Sequence, residues 1–216
     1  MAIVNSILLG RAKGSIGNVS FSTQKGRVIA RQKPTIVSNP RTQAQLDQRA
    51  KVSAVNVAWF MVGQAIKSGI TQLVGLGSQF NTYVSKNADI FAGKAFTKET
   101  FKTSDLVGSY ASIGAMPELP YELADDNDIA VVLSLDKNAL NMYAKEGDIL
   151  KLVAGKADNN SQLYGEVVVT QALLNTAEPV AVFDGVDLSG GGANVMALWL
   201  ESNDGRTSST STFQIK

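Results

Sequence analysis

Asn194-Val195-Met196-Ala197-Leu198-Trp199-Leu200 is a short apolar run bounded by two turn-forming clusters, Ser189-Gly190-Gly191-Gly192 before it and Ser202-Asn203-Asp204-Gly205 after it. An apolar run of this length between such signals reads as a strand. Three further stretches have the same character: Asp128–Leu135, Asp148–Val153 and Tyr164–Thr170, with Asp158-Asn159-Asn160-Ser161 turning between the last two. Several short strands at this spacing predict an antiparallel β-sandwich of the immunoglobulin or fibronectin kind over residues 121–216.

Upstream of these strands the periodicity changes. Asn39 offers a capping oxygen and Pro40 suits a first helical position, where its missing N–H is not needed. From Pro40 to about Lys67, Leu46, Ala50, Ala54, Val57 and Met61 recur at three- and four-residue steps. This spacing predicts a long amphipathic helix, more apolar toward its C-terminal half and open to interruption at Gly63. A second helix is expected over 78–87, with Phe80, Tyr83 and Val84 covering the first. Residues 93–120 read as a connecting segment with one or two strands. Before the helices, Asn18–Ser22 and Arg27–Arg31 flank Gln24-Lys25-Gly26, a hairpin signal, and an isolated hairpin is marginal in water unless it packs on something. The expected fold is therefore α+β: a basic arm and hairpin over 1–38, a helical segment over 39–92, the connection over 93–120 and the sandwich over 121–216.

Composition narrows the chemistry. The 216 residues contain no cysteine and no histidine, which removes disulfides, thiol nucleophiles, the commonest metal ligand and the usual acid–base group near neutral pH. No cofactor or metal site and no catalytic residues are expected, and the chain reads as a non-enzyme. The N-terminal apolar run is short and broken by Asn5 and Ser6, so a secretory leader and a membrane span are not expected.

Two clusters invite a functional reading and do not sustain it. Asp125-Asp126-Asn127-Asp128 lacks the spacing of a calcium loop and reads as a solvated turn. Gly190-Gly191-Gly192 lacks the Gly-Lys-Ser/Thr ending of a phosphate loop and sits between strands. Trp59 and Trp199 are expected in the core.

The charge distribution is the feature that points to a role. Residues 1–51 carry nine Lys or Arg against Asp47 alone, a net charge of +8, and the remainder carries −7. The candidate partner-binding residues are Arg11, Lys13, Lys25, Arg27, Arg31, Lys33, Arg41 and Arg49. Such a block suits phosphate contact, or docking on an acidic protein surface, which the rest of the same chain supplies. Head-to-tail contacts between identical subunits would then build a ring or a filament.

The opening Gly10-Arg11-Ala12-Lys13-Gly14-Ser15-Ile16-Gly17-Asn18-Val19-Ser20-Phe21, followed by Arg31-Gln32-Lys33-Pro34 and Asn39-Pro40-Arg41-Thr42-Gln43-Ala44-Gln45, resembles that of a Bacteroidota family of unassigned function. Related openings occur in bacteriophage structural proteins, including those of crAss-like phages, and Ala197–Arg206 with the Ser-rich final strand also fits. The resemblance implies a virion component made in the bacterial host cytoplasm. The expected role is a ring-forming neck or tail protein near the portal, with itself and neighbouring virion proteins as partners and non-specific proximity to DNA. The alternative is a β-sandwich binding module of a Bacteroidota cell for glycan or protein, with Tyr143 and Tyr164 as its best aromatic platforms.

Overall fold

The computed structural model describes residues 2–4, 13–36, 38–70, 77–126, 130–188, 193–204 and 209–216. The chain divides into two compact units, Met1–Thr42 and Gln43–Lys216.

The first unit is a four-stranded antiparallel sheet. Its strands are β1 (Ala2–Val4), β2 (Gly14–Ile16), β3 (Val19–Gln24) and β4 (Arg27–Gln32), in the order β1-β4-β3-β2. The expected hairpin is β3–β4, and it does not stand alone: β2 pairs with β3 and β1 pairs with β4, Ala2 lying opposite Ala30 and Val4 opposite Val28. The β3–β4 turn has two central residues, Lys25 and Gly26, both with positive φ (48° and 77°), as a tight hairpin turn of matching twist requires.

The second unit begins with α1 (Gln43–Ile66) and α2 (Gln79–Asn87), continues through a short 3-10 turn at Thr103–Leu106 to β5 (Tyr110–Ser112), and then runs β6 (Tyr121–Asp126), β7 (Ala130–Leu135), α3 (Lys137–Tyr143), β8 (Ile149–Lys156), β9 (Leu163–Val168), α4 (Gln171–Asn175), β10 (Val180–Asp184), β11 (Asn194–Glu201), β12 (Ser211–Thr212) and β13 (Gln214–Ile215). Three sheets result, with strand orders β10-β7-β6, β13-β11-β8-β9 and β12-β5.

Strand β11 explains how the unit is layered. Met196, Leu198 and Leu200 belong to one apolar cluster, shared with Leu150 and Leu152 of β8, Val131 and Leu133 of β7, and Ala181 and Phe183 of β10. The alternate residues Val195, Ala197 and Trp199 belong to a second cluster, shared with Val153 of β8, Ala54, Val55, Ala58, Val62 and Ile66 of α1, and Tyr83 of α2. A strand covered on both faces needs apolar side chains at every position, and this is why 194–200 reads as one continuous run rather than an alternation. The β11–β8 pair is thus the middle layer, with the β10-β7-β6 sheet on one side and the two long helices on the other. The result is an α+β chain with an N-terminal strand and helix region and a β-rich C-terminal region.

Several expectations need correction. The long helix starts at Gln43, three residues after Pro40, so Asn39 is not the residue preceding its first turn; Thr42 is. Thr42 has a side chain of the kind suited to a cap. Leu46 and Ala50 do not extend the packed stripe, since Leu46 is 42% exposed, Ala50 is also exposed, and the buried helix residues begin at Ala54. The second helix agrees closely with expectation, with Ser78 Oγ accepting from Asn81 N at 3.2 Å as its cap. Asp125 and Asp126 end strand β6 rather than lying in a turn, while Asn127, Asp128 and the triple glycine lie outside the described residues.

Gly63 does not interrupt α1. It admits the Trp59 ring, which packs on Phe80 and Tyr83 with ring centroids at 5.8 and 5.2 Å. A methyl group at Gly63 would stand 2.8 Å from that ring. Overpacking costs about 1–3 kcal/mol, against a helix-propensity gain of about 1 kcal/mol for Gly→Ala. Gly63→Ala is therefore expected to lower stability by roughly 1 kcal/mol, read as an earlier urea midpoint. A later midpoint would mean that the Trp59 ring is free to move aside.

Candidate interaction surface

The candidate site begins with charge. Residues 1–42 contain seven Lys or Arg and no Asp or Glu. Strand alternation then sorts the described residues of that unit onto two faces. Val19 and Phe21 of β3 lie opposite Gln32 and Ala30 of β4, and β2 sets Ile16 opposite Val19, which makes one face largely apolar. Ile16 is 76% exposed on it and Val19 is also exposed. The other face carries Arg27 and Arg31 of β4, with Arg31 opposite Ser20 and Arg27 opposite Gln24.

The remaining candidates lie at the margins. Lys25 occupies the β3–β4 turn, Lys13 immediately precedes β2, and Lys33 follows β4, its backbone N–H donating to Asn18 O at 2.7 Å. All three side chains are exposed, as is Arg41 in the extended stretch before α1. Arg49 is exposed on α1 and belongs to the second unit. Arg11 lies outside the described residues. The N-terminal sheet therefore brings together Lys13, Lys25, Arg27, Arg31 and Lys33 as an apolar face with lysines at its margin, backed by an arginine face.

A second surface was not apparent from the sequence. The β10-β7-β6 sheet turns Val131, Leu133, Ala181 and Phe183 to the core, which leaves the alternate residues outward. On that outer face Val182 lies opposite Val132, Val180 and Glu122 both lie opposite Ser134, and Asp184 lies opposite Ala130. Val180 and Val182 are 39% and 45% exposed, and Glu122 and Asp184 are exposed. Strands β6 and β10 contain acidic residues, and none of β6, β7 and β10 contains Lys or Arg. The signal was hidden because Val180-Ala181-Val182-Phe183 is apolar at both parities, so outward and inward positions look alike.

A cleft of about 340 Å³ opens between α1 and the β8–β9 strands, lined by Met61, Gln64, Lys151, Tyr164 and Trp199 among others. Its polar groups already serve one another: Trp199 Nε1 donates to Glu201 Oε1 at 2.8 Å, and Lys151 Nζ reaches Glu201 Oε2 at 3.0 Å and Ser68 Oγ at 3.1 Å. Tyr164 is 71% exposed at its edge, whereas Tyr143 packs against the first core cluster and offers no free platform. Among the described residues no group of three or more Asp or Glu side chains could hold a metal ion, and no helix is long and apolar enough to cross a membrane.

Two tyrosine hydroxyls are strongly perturbed, both structurally. Burial pushes Tyr83 well above its ordinary value, weakly opposed by Ser109. Burial also raises Tyr121, with the Glu118 carboxylate adding to the effect, and the Tyr121 hydroxyl donates to Met196 O at 3.1 Å. A raised folded-state pKa stabilises the fold fully below the unfolded value of about 10 and progressively less as pH rises above it. In an alkaline absorbance titration, two of the five tyrosines should stay protonated until the chain unfolds, and Tyr83→Phe and Tyr121→Phe should each remove one late-titrating group. Five tyrosines titrating together in the folded protein would contradict this.

Comparison with known proteins adds a family likeness. Residues 11–117, just under half the chain, match a family of unknown function (DUF6266). No curated protein sequence matches the chain. A solved structure titled "Myokine structure" is similar over 46% of this chain and 96% of that one, at 10% identity and a TM-score of 0.30, too slight a likeness to carry an argument.

Proposed function

We propose that the chain is a non-enzymatic structural protein of a bacteriophage particle, a ring-forming neck or tail component near the portal, which assembles through its basic N-terminal sheet. The observation that carries this reading is the segregation of charge by unit: seven bases and no acid in residues 1–42, set on a small sheet whose apolar face leaves Ile16 and Val19 exposed. A sheet of that kind is an adhesive element, since its apolar face gains by burial and its cations select an acidic partner. The resemblance of Gly10–Phe21 and Asn39–Gln45 to openings of phage structural proteins supports the virion setting. In the same reading, the two sheets sharing the first core form a sandwich in the immunoglobulin or fibronectin manner, presented outward from the ring.

The test is the mass of the purified protein by light scattering across concentration and salt, for the full chain and for a chain lacking Met1–Ser38. Both apolar clusters of the second unit lie within Ala54–Phe213, so the shortened chain keeps its whole core. A closed oligomer from the full chain and a monomer from the shortened one is the expected pair of results. Two monomers at every concentration would overturn self-assembly and move attention to a binding module, with Tyr164 as the first residue to examine.

A further inference from the structure

The assembly reading names the adhesive element but not its receptor. We propose that the receptor is the outer face of the β10-β7-β6 sheet of a second copy of this chain, an inference that rests on that reading. Val132, Val180 and Val182 form a contiguous patch there, Val180 and Val182 exposed and Val132 half-buried, because Val182 lies directly opposite Val132 and Val180 stands two residues before Val182 on the same face. Directly opposed side chains on one face of a sheet are in contact range, so the three valines present one apolar surface. Glu122 bounds it at the Ser134 end and Asp184 at the Ala130 end.

The N-terminal sheet is the counterpart in both respects. Ile16, Val19 and Phe21 supply the apolar face, and Lys25 and Lys33 stand just beyond the strand ends, where they meet the carboxylates once the two faces are stacked. Face-to-face packing of two sheets is an ordinary way to bury such surfaces. The contact is heterologous, one face of one copy on a different face of the next, which is the arrangement that closes into a ring when the rotation permits.

Arg27 and Arg31 point to the opposite face of the N-terminal sheet and take no part in this contact. They remain available to a different neighbour.

The experiment measures self-association of the full chain by light scattering at low and high salt. Glu122→Lys with Asp184→Lys is expected to weaken association by about tenfold or more, and Lys25→Glu with Lys33→Glu by a similar factor. All four substitutions together should recover most of the loss, and Arg27→Glu with Arg31→Glu should change it far less. Val182→Ser, which alters no charge, should also weaken association. These residues are exposed or half-buried, so circular dichroism should be unchanged throughout. A full chain that assembles, loses assembly without residues 1–38, yet ignores the Glu122 and Asp184 reversals overturns this receptor while leaving the assembly reading intact. A failure of the fourfold variant to recover has the same meaning. A full chain that is monomeric under all conditions overturns both.

Discussion

Trp199→Ala is expected to lower stability by about 3–5 kcal/mol, the range for removing a fully buried large aromatic. Trp199 is 1% exposed and stands in the middle layer, on the side of β11 that meets the helices. Its ring lies so close to Gly69 that a methyl group there would fall 2.7 Å from Nε1. The segment after α1 is held against it through Ile113 N, which donates to Gly69 O at 2.9 Å. Truncation opens a cavity between elements that are each fixed by their own hydrogen bonds, so little collapse is available to offset it. The loss would be a large fraction of the 5–15 kcal/mol typical of a whole domain. Trp199→Phe keeps most of the volume but removes the N–H that Glu201 accepts, and is expected to cost about 1–2 kcal/mol. Urea unfolding of the three proteins gives both numbers. A cost below about 1 kcal/mol for the alanine variant, small by the standard of core truncations, would mean that β11 is not packed on both sides.

The second large effect is expected at Asp148→Ala. Asp148 is 1% exposed just ahead of β8, and its carboxylate binds the chain on two sides. One oxygen accepts from Lys145 N at 2.9 Å, and the other accepts from Asn203 N at 3.2 Å and from Ser202 Oγ at 3.4 Å. It therefore joins the turn that leads from α3 into β8 to the turn that follows β11, anchoring the two central strands at a common end. Alanine leaves the backbone N–H groups of Lys145 and Asn203 without this acceptor; both residues are exposed, so water replaces part of the loss and a total of about 2 kcal/mol is expected. Asp148→Asn retains one acceptor oxygen and should lose less. Equal urea midpoints for the alanine variant and the native protein would refute the anchoring role.

The strands that carry the core were legible because their residues are apolar and their boundaries are marked. Asn194–Leu200 and Asp148–Val153 announce themselves in this way. The layering was not legible, since nothing within β11 says that its odd and even positions meet different partners. That depends on α1, whose last buried residue, Ile66, precedes Asn194 by more than a hundred positions. Strands β12 and β13 are two residues each, too short to leave a pattern, and β10 has no alternation to detect. The start of α1 is hard to read because Asn39-Pro40 is a strong local signal that competes with Thr42 three residues later. The caps of α3 and α4, Asp136 and Thr170, are ordinary signals, but the helices they open are seven and five residues long, too short to show a periodicity.

For the candidate surface, the bases were legible as composition, but their division between two faces was not. The hairpin gives the alternation of Val19, Phe21, Arg27 and Arg31, yet the extent of the sheet depends on β1 and β2. The β1 pairing joins Ala2–Val4 to Val28–Ala30 across more than twenty residues. The valine face of the β10-β7-β6 sheet was out of reach for the same reason, as it comes into being only when β10 pairs with β7 across the intervening β8 and β9.

The double coverage of β11 also bears on how the protein is made. The apolar side of α1, with Ala58, Val62 and Ile66, is complete once the ribosome has passed residue 66, but the strand that covers it begins at residue 194. At about 5–20 residues per second, that interval lasts roughly 6 to 26 seconds. Throughout it the nascent chain carries an apolar stripe whose middle layer is incomplete, and a chaperone has that long to find it.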